Sequence, residues 1–423
     1  MMKTKHEMNG RSTKVGLTNT RIIFFLGYVN PYPGAGWTRI GFFAEYLAKR
    51  GCKVYVVGSF SPRSLSNAGS SIWRNLRILN VVPAHPAIPT HPAENKILSL
   101  FDVLSSVITL IFLSIILRPK IVVISVPSGK QLTPLGAYVG ARASRAKVIF
   151  DYRDEWEDAR MRETRIKIFR KSLEVLKRIM SSLYAKSDLV LAVTPHFIRG
   201  LKARGIKKIK MIPNGADINI FEPYDKSLER SNLRLPHDAF IIIYSGRIGN
   251  CYRLDIVVKA LSKVTKKMML AMIGDGHDLP SVLKLANEND VRVVYLGEKN
   301  DKKEIAKILS AADVGVVPYD DNPLWKNTLP AKFFEYCACN LPVIATTHRD
   351  SMLANLICEN RVGLICKPLN VKGLAEAIEK LYEDEIFREE AGRNARLLIE
   401  QNFDRNKIAE EFLKILVDLL KVN

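Results

Sequence analysis

The sequence predicts an α/β protein made of two doubly wound parallel sheets. Short apolar runs bounded by glycine, proline and polar residues alternate with amphipathic helical stretches, a pattern typical of βαβ units. The alternation runs from residue 21 to residue 213, stops at a Pro-Asn-Gly turn, and then starts again. A chain of 423 residues has room for two such domains. We therefore expect two sheets that face one cleft.

The first element along the chain is a tail. Residues 1–20 are polar and basic without an apolar core, so we expect a disordered segment and not a signal peptide. A first domain over residues 21–215 and a second over 216–402 follow, and an amphipathic helix ends the chain.

The charge balance limits the partners. Lys and Arg outnumber Asp and Glu by 64 to 43, which gives a net charge of +21. Nucleic acid, anionic membranes and anionic small molecules are all attracted by such a charge. No zinc finger, RNA-recognition motif or basic zipper is present, so nucleic acid is the least supported. The six cysteines have no paired metal spacing and are typical of a reduced cytosolic protein.

The first βαβ unit contains a glycine-rich turn. Residues 21–27 form an apolar strand, residues 32–37 a turn that includes Gly36, and residues 38–49 a helix. Glycines there let a phosphate or sugar approach the backbone, although a plain tight turn fits equally well. The next strand ends without an acidic residue, which disfavours an NAD site.

Two stretches of the first domain could contact a membrane. Residues 98–117 are the most hydrophobic part of the chain, but Asp102 and several serines favour a buried or interface-lying helix over a spanning one. Residues 160–183 predict a basic amphipathic helix, which can lie on anionic lipid. The alternative for this helix is an ordinary solvated face.

A cluster of charges follows a strand at residues 146–151. Asp151, Arg153 and Asp154 stand where ligands bind in open parallel sheets, at the carboxyl end of a strand. We expect them to line the acceptor side of the cleft. A solvated loop with local ion pairs remains the alternative.

In the second half, loops after the first two strands are rich in glycine. Arg247 follows Gly246, so a guanidinium and free backbone can approach an anion together. Gly274 and Gly276 form a second loop of this kind.

Residues 327–345 carry the densest set of candidate groups. Pro330 suits the start of a helix over residues 331–339, whose free N–H groups and dipole favour phosphate. Lys332 adds a cation there, and Glu335 can accept hydrogen bonds from ribose. Asn340 suits a left-handed cap before a buried strand at 342–346. An ordinary αβ unit with solvated Lys and Glu is the alternative.

Taken in order, these pieces resemble the GT-B glycosyltransferases of family 4 over residues 21–420. The pieces are Pro-Asn-Gly-Ala-Asp at 213–217, Gly-Arg at 246–247, Gly-Asp-Gly at 274–276, Tyr-Leu-Gly at 295–297, Ala-Asp-Val-Gly at 312–315 and Phe-Glu at 334–335. The resemblance implies two Rossmann-like domains, a donor site in the second, and a last helix (403–423) that returns to the first.

The resemblance also implies roles for single residues. Arg247 matches the pyrophosphate arginine, Glu335 the ribose glutamate and Gly36 the turn near the donor. We assign catalysis to Arg247, Lys332 and Asp154. The predicted donor-binding residues are Gly36, Arg247, Arg253, Gly274, Gly276, Leu296, Asn327, Pro330, Ala331, Lys332 and Glu335.

Three positions depart from the family pattern. Asn327 stands where the family has its first glutamate, and Tyr252, with Arg253 beside it, stands where it has a phosphate-binding lysine. The usual first-domain histidine is absent. The patterns at 151–156 and 330–336 are similar to a subset that builds surface polysaccharides and lipid-linked glycans.

We therefore expect a retaining, metal-independent transferase that moves a sugar from a nucleotide sugar to a lipid-linked or polysaccharide acceptor. It would need no cofactor and would act at the cytoplasmic face of the plasma membrane, on an anionic surface. Two rivals stay open: a non-catalytic sugar-nucleotide or glycan-binding subunit, and a nucleotide-sugar epimerase, which would convert donor without any acceptor.

Overall fold

The computed structural model describes residues 17–27, 30, 35–59, 75–82, 96–126, 133–155, 157–158, 161, 167–249, 251–264 and 267–421. The predicted tail up to residue 16, residues 32–34 of the turn predicted at 32–37, Trp156 and part of the helix predicted at 160–183 lie outside these ranges. Residues 17–20 belong to the fold, because Leu17 is buried and the Asn19 N–H donates to the Gly51 carbonyl.

The first sheet has seven parallel strands. They are β1 (Arg21–Phe25), β2 (Lys53–Ser59), β3 (Leu76–Val82), β4 (Ile121–Val126), β5 (Lys147–Tyr152), β6 (Leu189–Ala192) and β7 (Ile209–Met211), in the order β3-β2-β1-β4-β5-β6-β7. Phe24 of β1 lies between Val56 of β2 and Val123 of β4. The central strands are continuously apolar because helices cover both faces.

Within the described ranges, five helices lie between these strands. They are α1 (Ala35–Lys49), α2 (Lys96–Leu117), α3 (Thr133–Ala143), α4 (Lys167–Lys186) and α5 (Pro195–Ala203). Helices α2 and α3 approach closely: a Cβ on Gly136 or Gly140 would lie within 3.0 Å of backbone atoms of Val107 or Leu110. No helix in the described part of the chain has both the length and the hydrophobicity needed to cross a bilayer.

The second sheet has six parallel strands. They are β8 (Phe240–Ser245), β9 (Met268–Ile273), β10 (Val293–Tyr295), β11 (Val314–Pro318), β12 (Val343–Thr346) and β13 (Gly363–Cys366), in the order β10-β9-β8-β11-β12-β13. The strand order repeats that of the first sheet, so the doubly wound α/β prediction is confirmed twice. One face of this sheet packs on a core that includes Ile241, Val317, Phe333 and Leu353.

The helices of the second sheet follow the predicted alternation. They are α6 (Lys226–Asn232), α7 (Leu254–Leu261), α8 (Leu279–Glu288), α9 (Lys302–Ser310), α10 (Ala331–Ala338), α11 (Met352–Glu359), α12 (Val371–Glu383) and α13 (Glu385–Leu398), with a 3₁₀ turn at Pro323–Asn327. The left-handed conformation predicted for Asn340 is present, with φ of 62°.

The last helix, α14 (Arg405–Lys421), joins the first unit. Residues 409–423 group with residues 1–192 and 198–211, whereas residues 193–197 and 212–408 form the second unit. Phe412 packs against Phe43, with ring centroids 4.7 Å apart. The helix predicted at 403–423 begins at Arg405, after a π turn at Ile399–Phe403, and Asp404 caps this start by accepting from the Asn406 N–H. The exact domain boundaries remain predictions.

Candidate functional site

The second sheet reverses its strand order between β8 and β11. The chain leaves these neighbouring strands toward opposite sides, and such a switch point opens a crevice at the carboxyl ends of the strands. Gly246 and Arg247 follow β8, and Tyr319 follows β11. The candidate site is built around this point.

Two glycine loops pack on each other through their backbones beside the switch point. Gly246 and Gly274 have φ of 126° and 122°, which disfavours any residue with a side chain. A Cβ on Gly274 would lie 2.0 Å from the Gly246 carbonyl oxygen, and one on Gly276 would lie 1.8 Å from that of Ile248. The glycines are therefore needed for loop packing, whatever binds there.

Tyr336 anchors helix α10 to strands β8 and β11. Its hydroxyl accepts a hydrogen bond of 2.7 Å from the Ser245 N–H at the end of β8. Its ring lies where a side chain on Gly315 of β11 would be, since a Cβ there would come within 2.4 Å of the ring. Pro330 caps the helix, so its first free N–H groups begin at Ala331 beside the glycine loops.

Lys332 lies inside the site, in the first turn of α10. The residue is 6% exposed, and its ammonium has no hydrogen-bond partner among the described residues. The ammonium nitrogen lies 3.4 Å from the centroid of the Tyr252 ring and 3.7 Å from that of Tyr244. We call Tyr244 and Tyr252 the tyrosine cage. Burial lowers the pKa of Lys332 well below its ordinary value, against opposing contributions from Cys251 and Glu335.

An aromatic row extends from the cage. Tyr252 stacks on Tyr319 with centroids 5.3 Å apart, and Tyr319 stacks on Trp325 at 5.5 Å. The Trp325 indole N–H donates to Asp320, and the Arg253 N–H donates to the Pro318 carbonyl at 2.7 Å. The segment that carries Tyr252 is thus anchored to the end of β11.

Arg247 and Glu335 also lack partners for their charges. The Arg247 side chain is exposed, and neither it nor the half-buried Glu335 carboxylate makes an ion pair with a described residue. Arg253 differs, because its guanidinium binds both oxygens of Asp255 at 2.7 and 2.8 Å. Arg253, which we expected to bind the donor, is therefore already engaged within the chain.

The remaining predicted donor residues lie at the rim of the site. Asn327 ends the 3₁₀ turn that carries Trp325, and it is half-buried. The Leu296 N–H donates to the Met272 carbonyl at 2.9 Å, which places Leu296 just beyond β10. Within the described ranges, no group of three His, Cys, Asp or Glu side chains could hold a metal ion.

In the first unit, Asp151 is not free to meet a ligand. It is 1% exposed, and the Arg39 guanidinium donates to both of its oxygens at 2.9 to 3.2 Å. The Arg153 side chain is mostly buried beside it, with its Nε 3.8 Å from an Asp151 oxygen. The expectation that Asp151 lines a ligand surface is corrected: its carboxylate holds α1 to β5. Gly36 lies in the first turn of α1.

Asp154 is the exposed member of this group. Desolvation of its carboxyl raises its pKa above the ordinary value, Glu155 and Glu157 add to the shift, and Arg153 and the Glu155 N–H oppose it. A carboxyl of this kind is a candidate for proton transfer, and its assignment to the acceptor side stays a prediction.

Sequence reasoning missed Tyr244 and Trp325 at the site, and Arg39 in the first unit. Tyr244, Trp325 and Arg39 belong to no motif that the sequence offers. Of the two tyrosines of the cage, only Tyr252 was noticed in the sequence, because it stands five residues after Arg247, where the family has a lysine.

Two family models match the chain. One, described as glycosyl transferases group 1, matches residues 225–398, and the other, described as Glycosyltransferase Family 4, matches residues 38–220. Together these ranges take in the second sheet and every strand of the first sheet except β1.

Curated relatives match parts of the chain. An N-acetyl-alpha-D-glucosaminyl L-malate synthase of Bacillus anthracis is 23% identical over 242 residues, which is 56% of this chain and 61% of that protein. A D-inositol 3-phosphate glycosyltransferase of Arthrobacter sp. is 28% identical over 199 residues, 45% of each chain. The matched region thus spans about half to three-fifths of these relatives.

Solved structures match over nearly the whole chain. Sucrose-phosphate synthase from Thermosynechococcus elongatus has a TM-score of 0.73 at 18% identity, covering 96% of this chain and all of that one. HepE from Anabaena, in complex with UDP-glucose, has a TM-score of 0.69 at 17% identity, covering 94% and 99%. At these identities the likeness shows a shared fold.

Proposed function

This chain belongs to the glycosyltransferases of group 1 and family 4, and we propose that it moves a sugar from a nucleotide diphosphate sugar to a lipid-linked or polysaccharide acceptor. The observation that carries the proposal is the position of Arg247, Lys332 and Glu335 at the β8/β11 switch point, where none of the three makes an ion pair with a described residue. Charges left unpaired beside a helix start suit a ligand with matching charge. HepE is solved with UDP-glucose, which supports a nucleotide sugar as donor.

The proposed chemistry depends on the leaving group. As the bond between sugar and phosphate breaks, negative charge grows on the nucleoside diphosphate. Arg247, Lys332 and the N–H groups that follow Pro330 would stabilise that charge, and electrostatic stabilisation of this kind commonly lowers the barrier more than any other effect. Two cations would do what a metal ion does elsewhere, so we propose that no metal is required.

The other groups have supporting roles in this proposal. Glu335 accepts hydrogen bonds from the ribose, while Gly36 and the loops at Gly274 and Gly276 approach the donor through backbone. Asp154 faces the acceptor and exchanges a proton with it. Transfer with retention of the anomeric configuration follows from the family resemblance.

A thermal-shift panel tests the donor site. UDP, GDP, ADP, CMP and their common sugars are added in EDTA to the wild type, Arg247→Ala and Glu335→Ala. A ligand at a hundred times its dissociation constant adds about 2.7 kcal/mol of stability. We expect one nucleotide to raise the Tm of the wild type and to lose most of that effect in both variants.

The matched control is Arg292→Ala, because Arg292 is an exposed arginine just before β10, at the amino end of the sheet. It should respond like the wild type. A panel in which no nucleotide shifts the wild type would refute the donor-site assignment.

An apolar stripe on α2 supports the membrane part of the proposal. Ile108 and Phe112 are 67% and 64% exposed, and Leu104, Ile115 and Ile116 extend the same side at helical spacing. Helix α3 covers the opposite side through Gly136 and Gly140. A row of exposed, neighbouring apolar side chains supports an interaction surface on this helix.

The basic residues near this stripe favour an anionic bilayer as the surface that it binds. Helix α4, which packs beside α3, carries six Lys or Arg and one Glu, together with the exposed apolar residues Ile168, Val175 and Ile179. Apolar insertion flanked by basic residues is the pattern of a helix that lies in the membrane interface. We propose that the protein docks peripherally by this face at the cytoplasmic side of the plasma membrane.

Vesicle co-sedimentation tests the docking face. We expect the wild type to bind vesicles of phosphatidylglycerol at low salt and to leave neutral phosphatidylcholine vesicles in solution. The double variant Ile108→Glu with Phe112→Glu should lose at least about tenfold in binding, because two carboxylates cannot enter the apolar layer without a large cost.

Ile386→Glu is the control, since Ile386 is 79% exposed in α13 beside Glu385 and far from basic residues of α4 in sequence. It should bind anionic vesicles as the wild type does. Equal binding by the double variant would rule out the α2 stripe as the docking surface.

A further inference from the structure

Lys332 is held in an unusual way for a lysine that binds a ligand. Its ammonium is buried, touches two aromatic faces, and has no hydrogen-bond acceptor among the described residues. A buried cation without a hydrogen-bonded counter-ion is costly, and cation–π contacts recover only a small part of that cost. The arrangement therefore needs a ligand to explain it.

The ammonium points at the backbone of the β8 loop. A Cβ placed on Gly246 would lie 3.2 Å from the Lys332 nitrogen, so only glycine leaves room for an anion there. Arg247 is the next residue, and the free N–H groups of α10 begin at Ala331. The Lys332 ammonium, the Gly246 loop and the start of α10 therefore border the same space.

Tyr252 links this geometry to the sequence. The family to which the chain belongs places a phosphate-binding lysine at position 252, and this chain has tyrosine there. The ring of that tyrosine lies directly over the Lys332 ammonium. The Lys332 ammonium thus lies beside residue 252, although it comes from helix α10.

We propose that Lys332 replaces the missing lysine, and that Tyr244 and Tyr252 keep it desolvated and poorly charged until a diphosphate binds and is accompanied by proton uptake. This inference rests on the proposed donor site and adds a proton to its binding reaction. Tyr244 and Tyr252 are positioning residues, because they act through Lys332.

The surroundings determine the direction of the proton linkage. The titratable groups that face Lys332 are Tyr244 on β8, Cys251 and Tyr252 after the β8 loop, and Glu335 on α10. Burial raises the pKa of the Cys251 thiol to about 11 and that of both tyrosines above their ordinary values, so these three stay neutral near pH 8. A diphosphate brings negative charge that favours the charged lysine.

Lys332→Met separates a ligand role from a packing role, because methionine is unbranched, keeps all but the last atom of the side chain's length and removes the charge. We expect its Tm to rise by about 2–4 °C or more, since an unpartnered buried charge is gone. Nucleoside diphosphate binding should weaken by about 10- to 100-fold, the usual effect of a lost charge-assisted hydrogen bond. A merely structural lysine would not give opposite signs in the two measurements.

The pH dependence gives a second readout. Because the folded pKa of Lys332 lies below its unfolded value, the unfolded chain binds more protons between the two values, and stability rises with pH there. The stability gain of Lys332→Met should therefore be full below the folded pKa and vanish as the pH passes about 10.5.

Calorimetry measures the proton directly. Titrations with UDP, GDP and ADP in two buffers of different ionisation enthalpy, above about pH 8 where phosphate is fully ionised, should show proton uptake by the wild type. Lys332→Met should show none. Lys326→Met is the control, because Lys326 lies nearby in the 3₁₀ turn but pairs with Asp350 at 2.9 Å; it should retain the uptake.

A double variant that moves the lysine from position 332 to position 252 completes the test. Tyr252→Lys combined with Lys332→Met should recover at least about tenfold of the lost affinity. A double variant no tighter than Lys332→Met, or a Lys332→Met that binds and takes up protons like the wild type, overturns the inference and leaves the proposed function in place. A wild type that binds no nucleoside diphosphate overturns both.

Discussion

Arg247→Ala is expected to lower kcat by about 10²–10³-fold, the usual effect of removing one group that stabilises a developing anion. Arg247 is exposed beside the Gly246 loop and makes no ion pair with a described residue, so its charge is available to the leaving diphosphate. Release of nucleoside diphosphate from the donor identified by thermal shift measures the effect even before an acceptor is known, because water can take the sugar in place of the acceptor.

The pattern of kinetic changes is more informative than the loss alone. The charge on the diphosphate grows toward the transition state, so kcat should fall more than donor affinity. Arg247→Lys should recover part of kcat, because a point charge remains without the bidentate geometry. Arg292→Ala should leave kcat within about twofold of the wild type, since its guanidinium lies at the opposite end of the sheet strands.

Equal turnover by Arg247→Ala and the wild type would remove Arg247 from the chemistry. Donor binding by a wild type that never releases nucleoside diphosphate would instead favour the non-catalytic binding subunit. Conversion of the donor sugar without any acceptor would favour the epimerase. The single assay therefore separates all three functions that the sequence left open.

The features that could be predicted from the sequence are those fixed by neighbours along the chain. Strands such as β8 and β11 are continuous apolar runs because both of their faces are covered, and they need no tertiary knowledge to find. Asn340 was predicted in the left-handed region because helix α10 ends just before a Leu-Pro stop. The glycine loops were predicted because glycines directly follow the first two strands of the second half.

The features that were missed depend on residues far apart in the chain. Tyr244, Tyr252 and Lys332 come from a strand, a loop and a helix that meet only when β8 pairs with β11. A tyrosine in an apolar strand gives no sign that its face will hold an ammonium.

Asp151 shows how a local pattern can suggest the wrong role. Its place at the end of β5 predicted a ligand contact, yet its partner Arg39 lies 112 residues earlier on α1. Both side chains are almost fully buried, so the pair is closed to solvent. The position that suits a ligand in many α/β proteins is used here to join a helix to the sheet.

Arg39→Met should therefore destabilise the protein by about 3–5 kcal/mol, because it leaves the Asp151 carboxylate buried without its main partner. Arg153, with its Nε 3.8 Å from Asp151, can recover a part of this loss. Urea unfolding followed by tryptophan fluorescence and circular dichroism measures the change. Lys267→Met, which removes an exposed pair with Asp238, should change stability by no more than about 0.5 kcal/mol.

The double variant Arg39→Met with Asp151→Leu decides what Asp151 is for. Replacing a buried ion pair by apolar residues of similar volume is often neutral, so most of the lost stability should return. If Asp151 only joins α1 to β5, this double variant should also keep the turnover of the wild type. A stable double variant with turnover reduced about a hundredfold, the size of effect that loss of a catalytic acid or base produces, would instead return Asp151 to the acceptor side of the reaction, because its carboxylate would then matter for more than the fold.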